Sequence, residues 1–316
     1  AGAEVCLSGV IGRHPGNAAA RRNRAQLLLL QGQFKQGWID FDYRFQTGTR
    51  EHYPIDTLWR GEPIGDKKLL IHFEQGLGDT VMFSRFLPHV QALCGELIFK
   101  CQPTLINLLR QSFPNIESVA EGDAPGDFDV HLPLLSLGER LGLDESNLLG
   151  DHPYLVATSR ASLPDSGRLR VGLAWAGNPH HKKDATRSIA WEQFATLTGL
   201  DNIDYICLQV EPRAEDCRGS GVISLGDQLS DCAATAAVIE QLDLVITVDT
   251  AVAHLAGALG KPTWVLVSTV PDWRWQLNRA DSPWYPTVKL YRQRTGEEGW
   301  PSTLERVKHD LAKRLA

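Results

Sequence analysis

The sequence lacks several features that would assign it to common classes of protein. It holds a single methionine, Met82, and begins with alanine, so we expect a fragment or processed form with a region missing upstream. No apolar run approaches the roughly 18 residues that a membrane-spanning helix needs, and no charged-then-apolar signal peptide opens the chain. The six cysteines form no CxxC pair and no zinc-type spacing. This usage predicts reduced thiols in a cytoplasmic protein without a membrane segment.

The chain also lacks an excess of basic residues. Lys and Arg total 32 against 38 Asp and Glu, a formal net charge of -6, which argues against a dedicated nucleic-acid binder. Hydrophobic residues make up 43% and charged residues 22%, which excludes a disordered or fibrous chain. A length of 316 residues favours two domains with a short appendage.

Several catalytic motifs are missing as well. The sequence contains no HExxH, no DxD-type carboxylate pair in a suitable loop, no GxSxG elbow and no GxxxxGK[ST] phosphate loop. A full GxGxxG fingerprint is absent, as is the acidic residue expected after the second strand, so dinucleotide binding is unsupported. We expect neither a metal site nor a bound cofactor.

The N-terminal part, from Pro15 to about Gly48, has apolar residues at helical spacing. Gly32 separates two predicted helices, and Asn17 stands where an N-cap would. The segment resembles the last unit of a tetratricopeptide repeat array, although a simple helical hairpin explains it equally well. Because one repeat cannot bury its own faces, either further repeats lie upstream and recruit a protein partner, or the hairpin packs on the following domain.

Two series of alternating strands and helices follow. The predicted strands lie in KLLIHF, ELIFKC and FDVHLPLLSL in the first series, and in LRVGLAWAG, DYICLQV, DLVITVD and PTWVLV in the second. We predict a helical hairpin and linker over residues 1–60, a first Rossmann-like domain over 61–165 and a second over 166–316 with a C-terminal helix. Alternating βαβ units imply doubly wound parallel sheets. The predicted architecture is therefore α/β, with two Rossmann-like domains facing each other across a cleft and ligands bound at the carboxyl ends of the strands.

The first candidate site is the turn from Gln75 to Thr80, which follows the first predicted strand. Gly76 and Gly78 allow close approach of another group, and the next helix presents unpaired N–H groups. Asp79 either caps that helix or acts as a general base toward an acceptor hydroxyl. Spacing alone favours the cap.

The second candidate site is the strand end at Asp249 and the helix that begins there. The N–H groups of Thr250 and Ala251, with the Thr250 hydroxyl, suit a pyrophosphate. His254 lies one helical turn further on the face of Thr250. It either contacts phosphate or is a satisfied core histidine, and the small residues beyond it allow tight helix–sheet packing.

The third candidate site is the cationic loop from Trp175 to Ser188. A cationic loop at a strand end suits a diphosphate leaving group, although such charge runs are often merely solvated. A fourth region, rich in aromatic residues, follows the last predicted core strand. We expect Trp284 and Tyr285 to pack internally, while Trp273 either packs or stacks on a sugar.

These motifs together resemble the ADP-heptose:lipopolysaccharide heptosyltransferase family, glycosyltransferase family 9. The resemblance rests on the strand–GLGD–helix opening, the AWAGN loop that leads to Arg187, and VDTAVAHLAGALGKPTWVL. With the repeat-like hairpin in front and PDWRW behind, the chain is similar to bacterial tetratricopeptide-repeat proteins with a glycosyltransferase-like C-terminal region.

The resemblance implies a GT-B fold and an inverting, metal-independent transfer from a nucleotide-diphosphate-sugar. Asp79 then falls on the family's base or acceptor-orienting residue, in an acceptor loop with Gln75, Gly76 and Gly78. The acceptor is a glycan, a lipid or a protein. The implied donor-binding residues are Asn178, Lys182, Arg187, Gln209, Asp249, Thr250, Ala251 and His254.

Two other functions stay open at this point. One is a non-catalytic repeat-type scaffold that binds a partner or a nucleotide without turnover. The other is a nucleotide-sugar epimerase on the same fold, which would convert its donor with no acceptor present.

Overall fold

The computed structural model describes residues 2–46, 53–210 and 213–315. The chain divides into two compact units, and each unit takes in segments that are distant in sequence. The first consists of Ala1–Pro103, Phe113–Gly150 and Pro271–Asn278. The second consists of Thr104–Ser112, Asp151–Val270 and Arg279–Ala316. The boundaries at residues 60 and 165 drawn from the sequence stay predictions.

The first unit is built on a four-stranded parallel sheet. Its strands run in the order β3-β2-β1-β4, and the central residues of β1 and β2 are buried apolar side chains. The predicted strand in FDVHLPLLSL is present as β4. A further strand, β3, was not predicted, because it is only four residues long and one of its residues is exposed. The elements are α1 (Gly2–Arg13), α2 (Ala18–Leu30), α3 (Phe34–Phe41), β1 (Lys68–His72), α4 (Leu77–Ser84), α5 (Leu87–Gln91), β2 (Glu96–Cys101), β3 (Glu117–Ala120), β4 (Val130–Pro133) and α7 (Leu137–Arg140).

The helices α2 and α3 pack against each other at the start of the first unit. The Asn17 side chain accepts a hydrogen bond from the N–H of Ala20 at 2.9 Å, so the predicted N-cap is confirmed. Asp40 of α3 is fully buried and accepts from Arg21 at 2.8 Å and Arg24 at 2.6 Å. These ion pairs join the two helices across their contact face.

Trp38 attaches α3 to the rest of the first unit. Its indole N–H donates to the carbonyl of Leu143 at 3.0 Å, and its ring is 1% exposed. A Cβ placed on Gly138 would lie 2.4 Å from this ring, so only glycine leaves room for the indole on α7. The helices are thus part of the core of the first unit.

The second unit is built on a five-stranded parallel sheet in the order β6-β5-β7-β8-β9. The last strand was not predicted. It is five residues long, carries an exposed lysine as its second residue and follows a loop rich in Pro and Trp, so its apolar run is short. The elements are α6 (Ile106–Ser112), β5 (Leu169–Ala174), α8 (Asp184–Arg187), α9 (Trp191–Phe194), β6 (Ile203–Cys207), α10 (Cys232–Ile239), β7 (Leu244–Val248), α11 (Ala251–Ala258), β8 (Thr263–Val267), β9 (Val288–Arg292) and α12 (Pro301–Leu315).

The prediction of an α/β fold with two parallel sheets is confirmed. All six cysteines are free thiols. Across the described ranges, none of the helices combines the length and the apolar character that crossing a bilayer requires.

Glu297 fixes the start of the C-terminal helix α12. Its carboxylate accepts from the N–H of Thr303 at 3.0 Å, from the Thr303 hydroxyl at 3.1 Å and from the N–H of Arg294 at 3.0 Å. Partial burial would raise the pKa of Glu297, but hydrogen bonds to the backbone of Arg294 and Thr303 and to nearby hydroxyls outweigh it and lower the pKa to about 2.

We predict that Glu297→Gln lowers the free energy of unfolding at pH 7 by about 1–2 kcal/mol. Because the pKa is lower in the folded chain than the value of about 4.3 in the unfolded chain, the carboxylate stabilises the fold above that value. This contribution is lost as the pH falls from about 4.3 toward 2. Urea unfolding at pH 7 and pH 2.5 measures it, with the exposed neighbour Glu298→Gln as control. A difference from wild type that stays the same at both pH values would contradict the prediction.

Candidate functional site

The candidate residues follow strands at which the strand order of each parallel sheet reverses. In the first sheet β1 lies between β2 and β4, and in the second β5 lies between β6 and β7. The crossovers from neighbouring strands therefore leave in opposite directions and open a crevice at the carboxyl ends. Asp79 lies at the start of α4, which follows β1, while Arg187 ends α8 after β5 and Asp249 directly follows β7.

Asp79 closes the first turn of α4. The helix begins at Leu77 with Gly76 as N-cap, and Asp79 is its third residue. The Oδ2 atom accepts from the N–H of Gly76 at 2.9 Å, and the N–H of Asp79 donates to the Gly76 carbonyl at 3.1 Å. This reciprocal bonding satisfies groups that a helix start otherwise leaves unpaired. Asp79 is therefore not the N-cap that its position suggested; it is the third residue of the helix, and its carboxylate accepts from the N–H of the N-cap residue Gly76.

We call residues 74–80 the glycine loop. Its remaining contacts are hydrogen bonds to the residue that follows the neighbouring strand β2. Gln102, directly after β2, donates from its side chain to the carbonyl of Gln75 at 3.0 Å. Its side-chain oxygen accepts from the hydroxyl of Thr80 at 2.9 Å. Gln75 and Gly76 are exposed, whereas Thr80 is buried. The loop thus presents its backbone outward while both of its ends are anchored.

Asp79 also forms an ion pair with Arg274, a residue that the sequence did not single out. The Nη2 atom of Arg274 donates to Oδ1 of Asp79. Arg274 lies 195 residues further along the chain, in a short 3₁₀ turn over Trp273–Trp275. The only sequence signal was an arginine among tryptophans in PDWRW, and nothing in that local pattern names its partner.

A second buried network holds the glycine loop to the helical segment. Arg44, in the turn after α3, donates to both carboxylate oxygens of Glu74, at 2.6 and 2.5 Å, and to Asp42 at 2.7 Å. Burial would lower the pKa of Arg44, but the carboxylates of Glu74 and Asp42 outweigh it and raise that pKa. Glu74 also accepts from the N–H of Leu135 at 3.0 Å. Arg44 therefore links the helices, the glycine loop and the segment after β4.

In the second unit, Arg187 spans the loops after β5 and β7. Its Nη1 atom donates to the carbonyl of Asp249 at 3.0 Å, and its Nε atom lies 3.7 Å from Oδ1 of Asp184. A Cβ on Gly177 would lie 2.5 Å from the guanidinium, so the absent side chain is what lets Arg187 lie there. The Arg187 side chain as a whole is 19% exposed.

Asp184 is the anion that orients this arginine. It is buried and accepts from the hydroxyl of Ser188 at 2.7 Å and from Arg213 at 2.9 Å. The Ser188 hydroxyl in turn accepts from the N–H of Gly177 at 2.9 Å. One buried carboxylate therefore fixes both ends of the loop after β5, a role that the sequence analysis missed.

The helix α11 begins beside Arg187. Thr250 is its N-cap, with an extended backbone and no capping bond from its own side chain. The Thr250 hydroxyl pairs instead with that of Thr247 at 3.2 Å. Thr250 and Ala251 are partly exposed, so the helix start and its positive dipole end lie at the edge that Arg187 also reaches.

The other candidates in the cationic loop and its neighbouring strand differ in what they contact. The Asn178 side chain accepts from the N–H of His180 at 2.9 Å and shapes the loop, while Lys182 is exposed. Gln209 is buried, and its Oε1 atom accepts from the N–H of Ala176 at 2.9 Å. Burial, together with the nearby Arg187, lowers the pKa of His181, which favours its neutral form. Asn178, His181 and Lys182 are exposed, whereas Gln209 is buried.

His254 and the aromatic region lie in the protein core. The Nδ1 atom of His254 lies 2.9 Å from the hydroxyl of Tyr285, and His254 is 4% exposed, so its contact is that of a core histidine. Trp284 and Tyr285 are fully buried, which confirms the packing prediction. Trp273 is also buried, so packing rather than sugar stacking describes it. Among the described residues, no three His, Cys, Asp or Glu side chains group to hold a metal ion.

Comparison with known proteins relates part of this site to a family. Residues 230–288 match the family model of glycosyltransferase family 9 (heptosyltransferase). The matched stretch spans α10, β7, α11 and β8 and includes Asp249, Thr250 and Ala251. Over 327 aligned residues the chain is 29% identical to Protein FlbA of Caulobacter vibrioides. The alignment covers 90% of this chain and 53% of that protein. The chain thus spans about half the length of this curated relative.

Solved structures share the fold. The family 9 glycosyl transferase from Veillonella parvula aligns with a TM-score of 0.56 and 11% identity, over 81% of this chain and 98% of that chain. The E. coli heptosyltransferase WaaC with ADP aligns with a TM-score of 0.54 and 14% identity, over 78% of this chain and 99% of that chain. The chain therefore has the fold of these glycosyltransferases.

The Arg44–Glu74 pair predicts a strong energetic coupling inside the first unit. We expect Glu74→Gln or Arg44→Met to lower the free energy of unfolding by about 3–5 kcal/mol, because each removes one member of a buried ion pair and leaves the other charge less well compensated. The double variant is expected to lose clearly less than the sum of the two single losses. Urea unfolding of all four proteins measures the coupling. Additive losses would show that the two side chains do not depend on each other.

Proposed function

We propose that this protein is an inverting, metal-independent glycosyltransferase that moves a sugar from a nucleotide-diphosphate-sugar to an acceptor hydroxyl. The shared fold and the match over residues 230–288 support a glycosyl transfer role. The sugar is of the hexosyl or heptosyl type in this proposal. The acceptor is a glycan, a lipid or a protein.

One observation carries the proposal. In the second unit, the guanidinium of Arg187 is fixed on the carbonyl of Asp249, immediately before the N-terminal turn of α11. A fixed cation and a helix start that converge at one sheet edge suit a diphosphate, which arginine and backbone N–H groups both bind strongly. The stretch that matches the family model contains this strand end and this helix.

The same groups supply what the leaving group needs. In the transfer, the acceptor oxygen forms a bond to the anomeric carbon while the bond from that carbon to the diphosphate oxygen breaks. Negative charge then grows on the departing nucleoside diphosphate, where Arg187, a neighbouring lysine and the N–H groups of Thr250 and Ala251 stabilise it. Because these groups provide the positive charge, we propose that the reaction proceeds without a metal ion.

Asp79 is the general base of this proposal. It takes the proton that the acceptor hydroxyl loses, and attack opposite the leaving group inverts the configuration. Asp79 follows the carboxyl end of β1, at the point where the strand order of the first sheet reverses.

Six free thiols accord with a cytoplasmic reaction. The helices α1–α3, as part of a longer tetratricopeptide array, would recruit a protein partner.

A second function, nucleotide binding without turnover, is favoured by one observation. Both oxygens of Asp79 already accept hydrogen bonds, from Gly76 and from Arg274, as they would in a purely structural role. A panel of ADP, GDP, UDP, CDP and their sugar derivatives separates these functions. Thermal shift identifies the nucleotide that binds, and chromatography detects release of nucleoside diphosphate when acceptors are added.

Each outcome of this panel has a distinct meaning. Binding with acceptor-dependent release supports the transferase. Binding without release supports the scaffold, and conversion of the donor sugar without an acceptor supports an epimerase. If no nucleotide raises the melting temperature, the donor site proposed at Arg187 and Thr250 is wrong.

We predict that Asp79→Asn lowers kcat by about 10²- to 10⁴-fold, because the amide cannot take the proton. The amide oxygen of the variant side chain can still accept from Gly76, so the helix start is kept and we expect the Kd of the nucleotide to stay close to that of the wild type. Steady-state kinetics and calorimetry measure the two effects. Asp123→Asn, at an exposed turn of the same unit, is the control and should keep wild-type turnover. Equal turnover in Asp79→Asn and wild type would leave Asp79 with the capping role alone.

We predict that Gly177→Ala weakens nucleoside diphosphate binding by roughly 5- to 100-fold. The added Cβ displaces the Arg187 guanidinium, and a lost charge-assisted hydrogen bond costs about 1–3 kcal/mol. Calorimetry with the diphosphate measures the loss. Gly12→Ala, where a Cβ meets open space in α1, should bind as wild type does. Unchanged affinity in Gly177→Ala would remove Arg187 from the donor site.

A further inference from the structure

A short segment late in the chain belongs to the first unit. The chain runs through the second unit up to Val270, passes through the first unit over Pro271–Asn278, and returns to the second at Arg279. We call residues 271–278 the crossing segment. Trp273 packs edge-to-face against Trp38 and Phe41, with ring centroids 5.5 and 6.0 Å apart. Since both partners belong to α3, the helical segment provides the surface on which the crossing segment lies.

The crossing segment holds its arginine in one orientation. The Oδ1 atom of Asp272 accepts from the N–H of Arg274 at 3.2 Å and from its Nη1 atom at 2.5 Å. The guanidinium lies 4.2 Å from the centroid of the Trp273 ring, a cation–π distance. The Arg274 side chain is 9% exposed. Because the Arg274 side chain is paired with a carboxylate, lies on an aromatic ring and is buried, it retains little rotational freedom.

The far end of this guanidinium reaches Asp79. Nη2 of Arg274 donates to Oδ1, while the N–H of Gly76 donates to Oδ2 at 2.9 Å. Two donors on two different oxygens fix the carboxylate plane. A carboxylate has about four lone-pair sites, so a further hydroxyl can still donate to it. The contact therefore orients the base without blocking it.

We propose that Arg274 is a positioning residue that fixes the orientation of the Asp79 carboxylate and favours its ionised form. This inference rests on the proposed function, in which Asp79 takes the acceptor proton. A buried cation beside a carboxylate stabilises the charged state, and a charged carboxylate is the one that can accept a proton. Arg274 forms an ion pair with Asp79, and the same guanidinium forms a second ion pair with Asp272.

The first test reads the carboxylate itself and needs no turnover. Protein labelled with ¹³C at the aspartate carboxyl groups is titrated by NMR, with the Asp79 signal assigned by its loss in Asp79→Asn. We expect Asp79 to titrate at higher pH in Arg274→Met than in wild type, and Arg274→Lys to restore part of the difference. Superimposable titrations of the wild type and Arg274→Met would overturn the proposal.

The second test is kinetic and uses the donor found in the nucleotide panel. We expect Arg274→Met to lower kcat by about 10- to 100-fold while the donor KM stays close to the wild-type value, and the acidic limb of the pH–kcat profile to move to higher pH. Arg274→Lys should recover part of the rate.

Arg85→Met is the matched control, because Arg85 is a buried arginine of the same unit that donates to the backbone carbonyls of Met82 and Leu148. It should lower stability and leave the acidic limb in place. A shift of the limb in Arg85→Met as large as that in Arg274→Met would assign the effect to general destabilisation and overturn the proposal.

The two proposals fail in different ways. If the wild-type protein releases no nucleoside diphosphate with any donor, the transferase function fails. The NMR titration still decides whether Arg274 favours the ionised form of the Asp79 carboxylate. If the wild type turns over and Arg274→Met keeps its kcat and its pH profile, the function stands and the positioning role is wrong.

Discussion

Parallel strand pairing is the constraint on which the rest of this protein depends. A parallel sheet needs a crossover between neighbouring strands, so all of its strands end at the same edge. Where the crossovers change direction, the loops diverge and leave room for a ligand. Both sheets of this chain have such a point, beside β1 and between β5 and β7. The residues that follow these strands are therefore the ones available for chemistry, whatever surrounds them.

Three arginines keep those loops in place, and each is held by a carboxylate. Arg44 is paired with Glu74, Arg274 with Asp272 and Asp79, and Arg187 with Asp184. Two of them also lie against aromatic rings, Arg44 on Phe45 and Arg274 on Trp273. A planar guanidinium can serve a ring face and a carboxylate at once, which a lysine cannot do as well. Loop geometry in both units thus depends on buried or half-buried charge pairs rather than on apolar contacts alone.

The sequence analysis succeeded where the signal is local and strong. Apolar runs such as KLLIHF and DLVITVD predicted strands, and Asn17 was recognised as a cap because a cap needs only the next three residues. The strands β3 and β9 were not predicted, since a four-residue strand and a short edge strand interrupted by an exposed lysine resemble ordinary loops. Trp284 and Tyr285 were expected in the core and lie there. Trp273 stayed open, because a tryptophan beside an arginine suits a sugar surface and a packed interior equally well.

The sequence by itself determined the strands with long apolar runs and the strand ends that precede Asp79, Arg187 and Asp249, because backbone periodicity and loop position are properties of neighbouring residues. Only the tertiary structure decided which charges meet. The pairing of Asp79 with Arg274 joins residues 195 positions apart, and that of Arg44 with Glu74 joins two segments whose helical and strand patterns are independent. Such pairs form because a charge removed from water must find a partner nearby in space, and distance along the chain places no limit on where that partner comes from.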